Sequence, residues 1–287
     1  MKRMTIPKIL AKSRRGEKVT MLTAYDYPLA RLIDAAGVDM ILVGDSLANV
    51  VLGLESTRQV GMTEMLHHAK AVRRAVKTAL LVGDMPYSSY QLNPSRAVAN
   101  AKRFIKEAGC DAVKIEWFAK CPQVVAALGK AKIPVMGHVG LTPQTADKGG
   151  GFKVQGRDAA AADKIIRDAK ILEEEGCFSI VMECIPRDIS RIITQKLRIP
   201  TIGIGAGPFC DGQVLVTHDI LGLFDRYQPK FVKKYVNLAP LIAKAVGQYQ
   251  SEVRAGKFPS AQYSFGMNPE ELAAVNAGKG RRHGQRP

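Results

Sequence analysis

No apolar run in the 287-residue sequence approaches the roughly 20 residues that a membrane-spanning helix requires, so a membrane protein of the helical kind is not expected. The opening "MKRMTIPKILAKSRRGEK" is basic but lacks the apolar stretch of a secretory signal, and reads as a short helix between Thr5 and Gly16. Cysteines are few: Cys110, Cys121, Cys177, Cys184 and Cys210 are odd in number, show no CxxC spacing and sit mostly in apolar stretches. That argues against a disulfide framework or a zinc site and for reduced, buried thiols in a cytoplasmic protein. No two histidines are placed to favour zinc, since His67 and His68 are adjacent in a helical pattern. Acidic residues are also in deficit, 26 against 42 Lys and Arg, for a formal charge of +16.

A basic chain raises the question of nucleic acid. The cations are scattered through helix-like segments such as "AKAVRRAVK" and "NAKRFIKEAG", without an RNA-binding signature, zinc-finger spacing or aromatic-basic ladder. A solvated basic surface that attracts small anions is the simpler expectation, and nucleic acid is not an expected partner. From Gly266 onward the chain has four Lys or Arg and two Glu, and reads as a polar, basic, disordered tail over 266–287.

What the sequence does have is a repeated alternation. Eight runs rich in Val, Ile and Leu, at 19–26, 40–46, 79–86, 112–117, 133–140, 178–186, 199–207 and 212–219, are mostly separated by amphipathic helical stretches. Near-continuous apolar runs mark strands buried on both faces, and strand–helix alternation marks parallel sheets. Eight such units in about 250 residues predict a (β/α)8 TIM barrel occupying 1–265 as a single domain. The seventh and eighth runs are nearly contiguous, which makes closure the weakest part of the pattern. An open doubly wound sheet competes less well, because "GIGAG" at 203–207 is followed by Pro208 and is no GxGxxG opening a helix.

In such barrels the active site lies where strands end and the following loops begin. Polar groups gather at those ends: Asp26, Asp45 with Ser46, Asp84, Lys114 with Glu116, His138, Glu183, and His218 with Asp219. Helix capping accounts for some of these singly, Ser46 and Asp84 above all, but not for a Lys or Glu inside an apolar run. Lys114 and Glu116, two residues apart, share a strand face. Val181, Glu183 and Ile185 share another, which aims Glu183 into the mouth beside apolar neighbours. Asp45, Asp84 and Glu116 come from consecutive strands, and oxygen-only donors of this kind suit Mg²⁺; a salt-bridge cluster with Lys114 is the alternative. A carboxylate amid apolar groups is suited to accept a proton, and a metal beside it to stabilise an enolate. The set therefore points to enolate chemistry on a 2-oxo acid whose carboxylate Lys114 holds.

Read in order, "TAYDYPLARL", "LVGDSLANVVLG", "VKIE", "GHVGLTPQ", "GGFKVQGR", "ECIP" and "PTIGIGAGPFCDGQVLVTHDILG" resemble the 3-methyl-2-oxobutanoate (ketopantoate) hydroxymethyltransferase family from about Thr5 to Phe265. The resemblance implies a TIM barrel, a Mg²⁺ ion and 5,10-methylenetetrahydrofolate as one-carbon donor. It further implies 3-methyl-2-oxobutanoate as acceptor, 2-dehydropantoate as product in pantothenate biosynthesis, and a homo-oligomer, commonly a decamer. By matching motif, Asp45 and Asp84 serve metal and substrate, Glu116 completes the metal environment, and Ser46 and Lys114 bind the 2-oxo acid. Glu183 is then the proton acceptor and His138 a supporting residue. Isocitrate lyase and phosphoenolpyruvate mutase are rivals with shared enolate chemistry, which "GHVGLTPQ" and "ECIP" fit less well. One departure stands out: Trp117 and Phe118 follow "KIE" where the family usually has two small residues, often Gly-Gly. The glycine-rich 149–157 is a candidate lid.

Overall fold

The computed structural model describes residues 3–145 and 153–279. Its strands are β1 (Val19–Thr23), β2 (Met40–Val43), β3 (Leu80–Asp84), β4 (Ala112–Glu116), β5 (Val135–Gly140), β6 (Ser179–Glu183), β7 (Thr201–Ile204) and β8 (Gly212–Leu215). They pair in chain order, all in parallel, into a closed barrel. The closing seam sets Val19 against Gly212 and Leu22 against Leu215. No helix lies between β7 and β8. The two adjacent apolar runs are thus separate strands joined by a loop, and the barrel closes despite it.

The helices are α1 (Ile6–Arg14), α2 (Tyr27–Ala35), α3 (Leu47–Val50), α4 (Met62–Ala75), α5 (Pro94–Lys106), α6 (Cys121–Lys130), α7 (Ala159–Glu174), α8 (Arg187–Lys196), α9 (Thr217–Ile220), α10 (Leu238–Arg254) and α11 (Pro269–Lys279). Several begin where local chemistry dictates. Asp26, Asn93 and Asp158 each accept a bond from a main-chain N–H inside the first turn, and proline stands within the first two helical positions at Pro28 and Pro94. Asp26 is therefore a helix cap, and its place in the ring of polar strand ends is corrected.

Side-chain parity sorts the core into two layers. Val19, Met21, Met40, Leu42, Leu80, Val82, Ala112, Met136, Val181, Ile202 and Val214 fill the barrel, with Ile9 of α1. Alternate residues, such as Ile41, Val43, Leu81, Val113, Ile115 and Ile180, form the larger cluster toward the helices. The same parity carries Asp84, Lys114, Glu116, His138 and Glu183 to the inward face at the C-terminal strand ends. All five cysteines are free and buried.

The chain divides into two compact units at Val236/Asn237, not after Phe265. In the second, residues 269–279 form α11, which corrects the expected disordered tail there; 280–287 lie outside the described residues. The correction has a local basis: Pro269, Glu270 and Glu271 occupy a first turn, where proline and acidic groups favour a helix. Among the described residues no helix is long and apolar enough to cross a membrane.

Candidate active site

The cavity at the C-terminal mouth has a volume of about 1260 Å³, and Asp45, Ser46, Asp84, Lys114, Glu116 and Glu183 all line it. Asp84, Glu116 and Glu183 are the last residues of their strands and Lys114 stands two before Glu116 on β4, whereas Asp45 and Ser46 open the loop after β2. Ser46 does not cap α3: its Oγ lies 2.7 Å from the Tyr25 hydroxyl. Asp84 caps nothing either. It accepts both bonds of Lys114 Nζ, at 2.8 and 2.9 Å, and the main-chain N–H of Asp45 at 3.2 Å.

The electrostatics follow from burial. Asp84 is 1 % exposed, and its pKa is pushed up to about 7, mainly by desolvation with Asp45 and Glu116 adding, while Lys114 opposes. Lys114 is raised instead: burial disfavours its charge, but Asp84, Glu116 and Asp45 together outweigh that cost. Glu116 is also raised, by burial first, with His138 and Lys114 opposing. His138 lies behind this row and outside the cavity lining. Its ring nitrogens stand 3.5 Å from Glu116 Oε1 and 3.3 Å from Glu183 Oε2, without hydrogen-bond alignment. Burial and Lys114 pull its pKa down, but the flanking Glu116 and Glu183 prevail and lift it to about 9.

Among the described residues no three His, Cys, Asp or Glu side chains form a ready-made metal cage. The donor chemistry nonetheless fits a hard divalent cation. Asp45, Asp84 and Glu116 offer oxygen only and face a single ammonium, so three carboxyl groups share one positive charge and a cation would supply a second. Mg²⁺ keeps water and substrate oxygens in its shell and needs no protein cage.

Two residues that the sequence did not single out belong to this site. Gln144, the last residue of "GHVGLTPQ", is fully buried and bonds both Asp45 and Glu116, and Tyr90 holds Gln144. The motif that contains Gln144 was the available signal; nothing local marks Tyr90. Several other expectations resolve here. Trp117 and Phe118 do not line the cavity: Phe118 stacks edge-on against Tyr90 at 5.5 Å, and Lys164 lies 5.6 Å over the Trp117 ring. The glycines of 203–207 meet protein at close range, a Cβ on Gly205 falling 2.7 Å from the Phe231 ring and one on Gly207 2.5 Å from Arg187 Cβ. They make a packed turn. His68 is structural, its Nδ1 being 2.7 Å from the Tyr25 carbonyl. Asp219 lines the cavity, with burial lifting its pKa to about 6 against Lys234, while His218 packs on the Tyr25 ring. Of the candidate lid, residues 149–152 lie outside the described residues.

A model of the family described as ketopantoate hydroxymethyltransferase matches residues 3–261. The chain belongs to this family. Relatives named 3-methyl-2-oxobutanoate hydroxymethyltransferase include one from Moorella thermoacetica, 57 % identical over 92 % of this chain and 98 % of its own length. Another, from Syntrophomonas wolfei, is 53 % identical over 95 % of this chain and 99 % of its own. Solved structures of similar fold include a phosphonopyruvate hydrolase in complex with oxalate and Mg²⁺, at TM-score 0.58, 15 % identity and 97 % coverage of both chains. A 2,3-dimethylmalate lyase of the PEP mutase/isocitrate lyase superfamily has TM-score 0.55 at 14 % identity, covering 96 % of this chain and 95 % of its own. At such identities these two speak to the barrel alone. Membership in the ketopantoate hydroxymethyltransferase family makes the chain an enzyme of the transferase class and sets the isocitrate lyase and mutase rivals aside.

Proposed function

We propose that the chain transfers a hydroxymethyl group from 5,10-methylenetetrahydrofolate to 3-methyl-2-oxobutanoate, giving 2-dehydropantoate for pantothenate biosynthesis in the cytoplasm. The observation that carries this reading is the placement of Glu183 on the same cavity as Asp45, Asp84 and Lys114, in a chain of this family. Lys114 and Ser46 bind the carboxylate of the 2-oxo acid; the ammonium, held charged by three carboxyl groups, supplies the attraction and the hydroxyl a directional bond. Asp45 and Asp84 would hold Mg²⁺, with Glu116 completing the negative field. When bound, the ion supplies Lewis acidity at the keto oxygen and so stabilises the enolate.

Glu183 accepts the proton from C3 of the acid. It is 14 % exposed at its side chain, close to solvent, with the His138 ring 3.3 Å away. Carbon then bonds to the donor's methylene carbon as the carbon–nitrogen bonds of the donor break. Water supplies the hydroxyl oxygen, so the net reaction consumes one water and releases tetrahydrofolate.

The test is 2-dehydropantoate formation from the two substrates, with Mg²⁺ and with EDTA, for the native chain and Glu183→Gln. Product that requires the metal and falls by roughly 10²–10⁴-fold in the variant supports the reaction and the base. Product formation indifferent to EDTA would remove the metal from the reading, and an undiminished variant would remove Glu183.

A further inference from the structure

Behind the cavity wall, one residue is bonded to two of the carboxylates that line it, through its side-chain amide and its main-chain N–H. Gln144 Nε2 donates to Asp45 Oδ2 at 2.8 Å and to the Met85 carbonyl at 3.1 Å. Its main-chain N–H donates to Glu116 Oε2 at 3.0 Å. Each bond takes one oxygen of its carboxylate. Glu116 Oε1 is left facing Lys114 at 4.0 Å and His138 at 3.5 Å, and Asp45 keeps Oδ1 for the cavity. Gln144 itself does not line the cavity and is fully buried. It therefore acts on the site only through the groups it holds.

The orientation of this amide is determined twice over. The Met85 carbonyl can only accept, so the NH₂ must face it and Asp45. On the other side the Tyr90 hydroxyl donates to Gln144 Oε1 at 2.5 Å and accepts the Glu116 main-chain N–H at 3.4 Å. Tyr90 is fully buried, and an ordinary phenol keeps its proton at neutral pH, so the O–H is a donor. Phe118 in turn braces the Tyr90 ring at 5.5 Å. The bulky residue that departs from the family pattern thus supports this bracket from behind.

We propose that Gln144, clamped by Tyr90, is a positioning residue that holds the rear oxygens of Asp45 and Glu116 and so aims their remaining oxygens at one cation in the cavity. A buried carboxylate without such a donor turns freely about its terminal torsion and loses a charge-assisted bond, which weakens its grip on an ion. The proposal rests on the reading of Asp45, Asp84 and Glu116 as the metal environment.

The experiment measures Mn²⁺ binding to the full chain by electron paramagnetic resonance, for the native protein, Gln144→Met and Tyr90→Phe, beside thermal melting in EDTA. Gln144→Met keeps length and volume, keeps the main-chain bond to Glu116, and removes the side-chain bond to Asp45. It is expected to weaken Mn²⁺ binding about ten-fold or more. Tyr90→Phe keeps the ring against Phe118 and releases the amide, for a loss of about five-fold. Native affinity in a folded Gln144→Met overturns the proposal; if that variant fails to fold, native affinity in Tyr90→Phe overturns it. Absence of Mn²⁺ binding in the native chain would mean that the metal reading has failed. Calorimetric titration with 3-methyl-2-oxobutanoate then decides the positioning role: an affinity that falls in Gln144→Met supports it, and an unchanged one ends it.

Discussion

Asp45 shows how a single polar residue at the end of an apolar strand acquires its role. In the sequence it is a costly carboxylate in a core-like run. In the fold it receives a hydrogen bond from Gln144, 99 residues away, donates its main-chain N–H to Asp84, and lines the cavity. Lys114 is the counterpart of opposite sign. Replacing it with Met leaves Asp84 buried without its cation, and breaking such a pair costs roughly 3–5 kcal/mol. A melting temperature well below native and a large rise in KM for the 2-oxo acid are the expected results for Lys114→Met. An unchanged KM would separate Lys114 from substrate binding.

At the scale of elements, two contacts decide where strand ends sit. Gly140 closes β5 at φ +95°, and a Cβ there would lie 2.3 Å from the Glu183 carbonyl. Gly140→Ala is therefore expected to push β6 away at the residue that carries the base, costing roughly 1–3 kcal/mol in strain. Its kcat should fall while KM changes little, read by steady-state kinetics. Asp34, near the end of α2, accepts main-chain bonds from Lys77, Thr78 and Ala79 ahead of β3. Burial pushes its pKa up, but these donors win and hold it below the usual carboxylate value. A depressed folded pKa gives stability that is present above about pH 3.9, the unfolded value, and is lost as pH falls through the folded one. Asp34→Ala should cost roughly 1–3 kcal/mol near neutral pH by stranding those N–H groups. In denaturation curves across pH 2–6, that difference should shrink toward the acid end.

The whole molecule carries a formal charge of +16, and α10 of its second unit carries a row of apolar side chains. Leu241, Ile242, Val246 and Tyr249 are each 49–61 % exposed, and α10 buries none of its residues. We propose that this row is an interaction face. It supports the proposal of a homo-oligomer, with ten subunits as the number implied by the family resemblance. Light scattering behind size exclusion should return a mass several-fold above 31.2 kDa, and a monomer would end that proposal.

Much of this was legible in the chain itself. Near-continuous apolar runs require strands buried on both faces, and period-two parity alone sent Asp84, Lys114, Glu116 and Glu183 inward, because a strand leaves its side chains no third direction. Tertiary structure decided the rest. Closure between β1 and β8 joins residues nearly 200 positions apart, and no local pattern encodes that pairing. Asp26 and Asp84 look alike as acids at strand ends, yet one caps a helix and the other meets Lys114, a difference set by which strand lies alongside. Gln144 became part of the site only because β5 lies beside β4 and brings the following loop behind its carboxylates, where it meets Tyr90 from the loop after β3; hydrogen-bond partners chosen in three dimensions leave no periodicity in one.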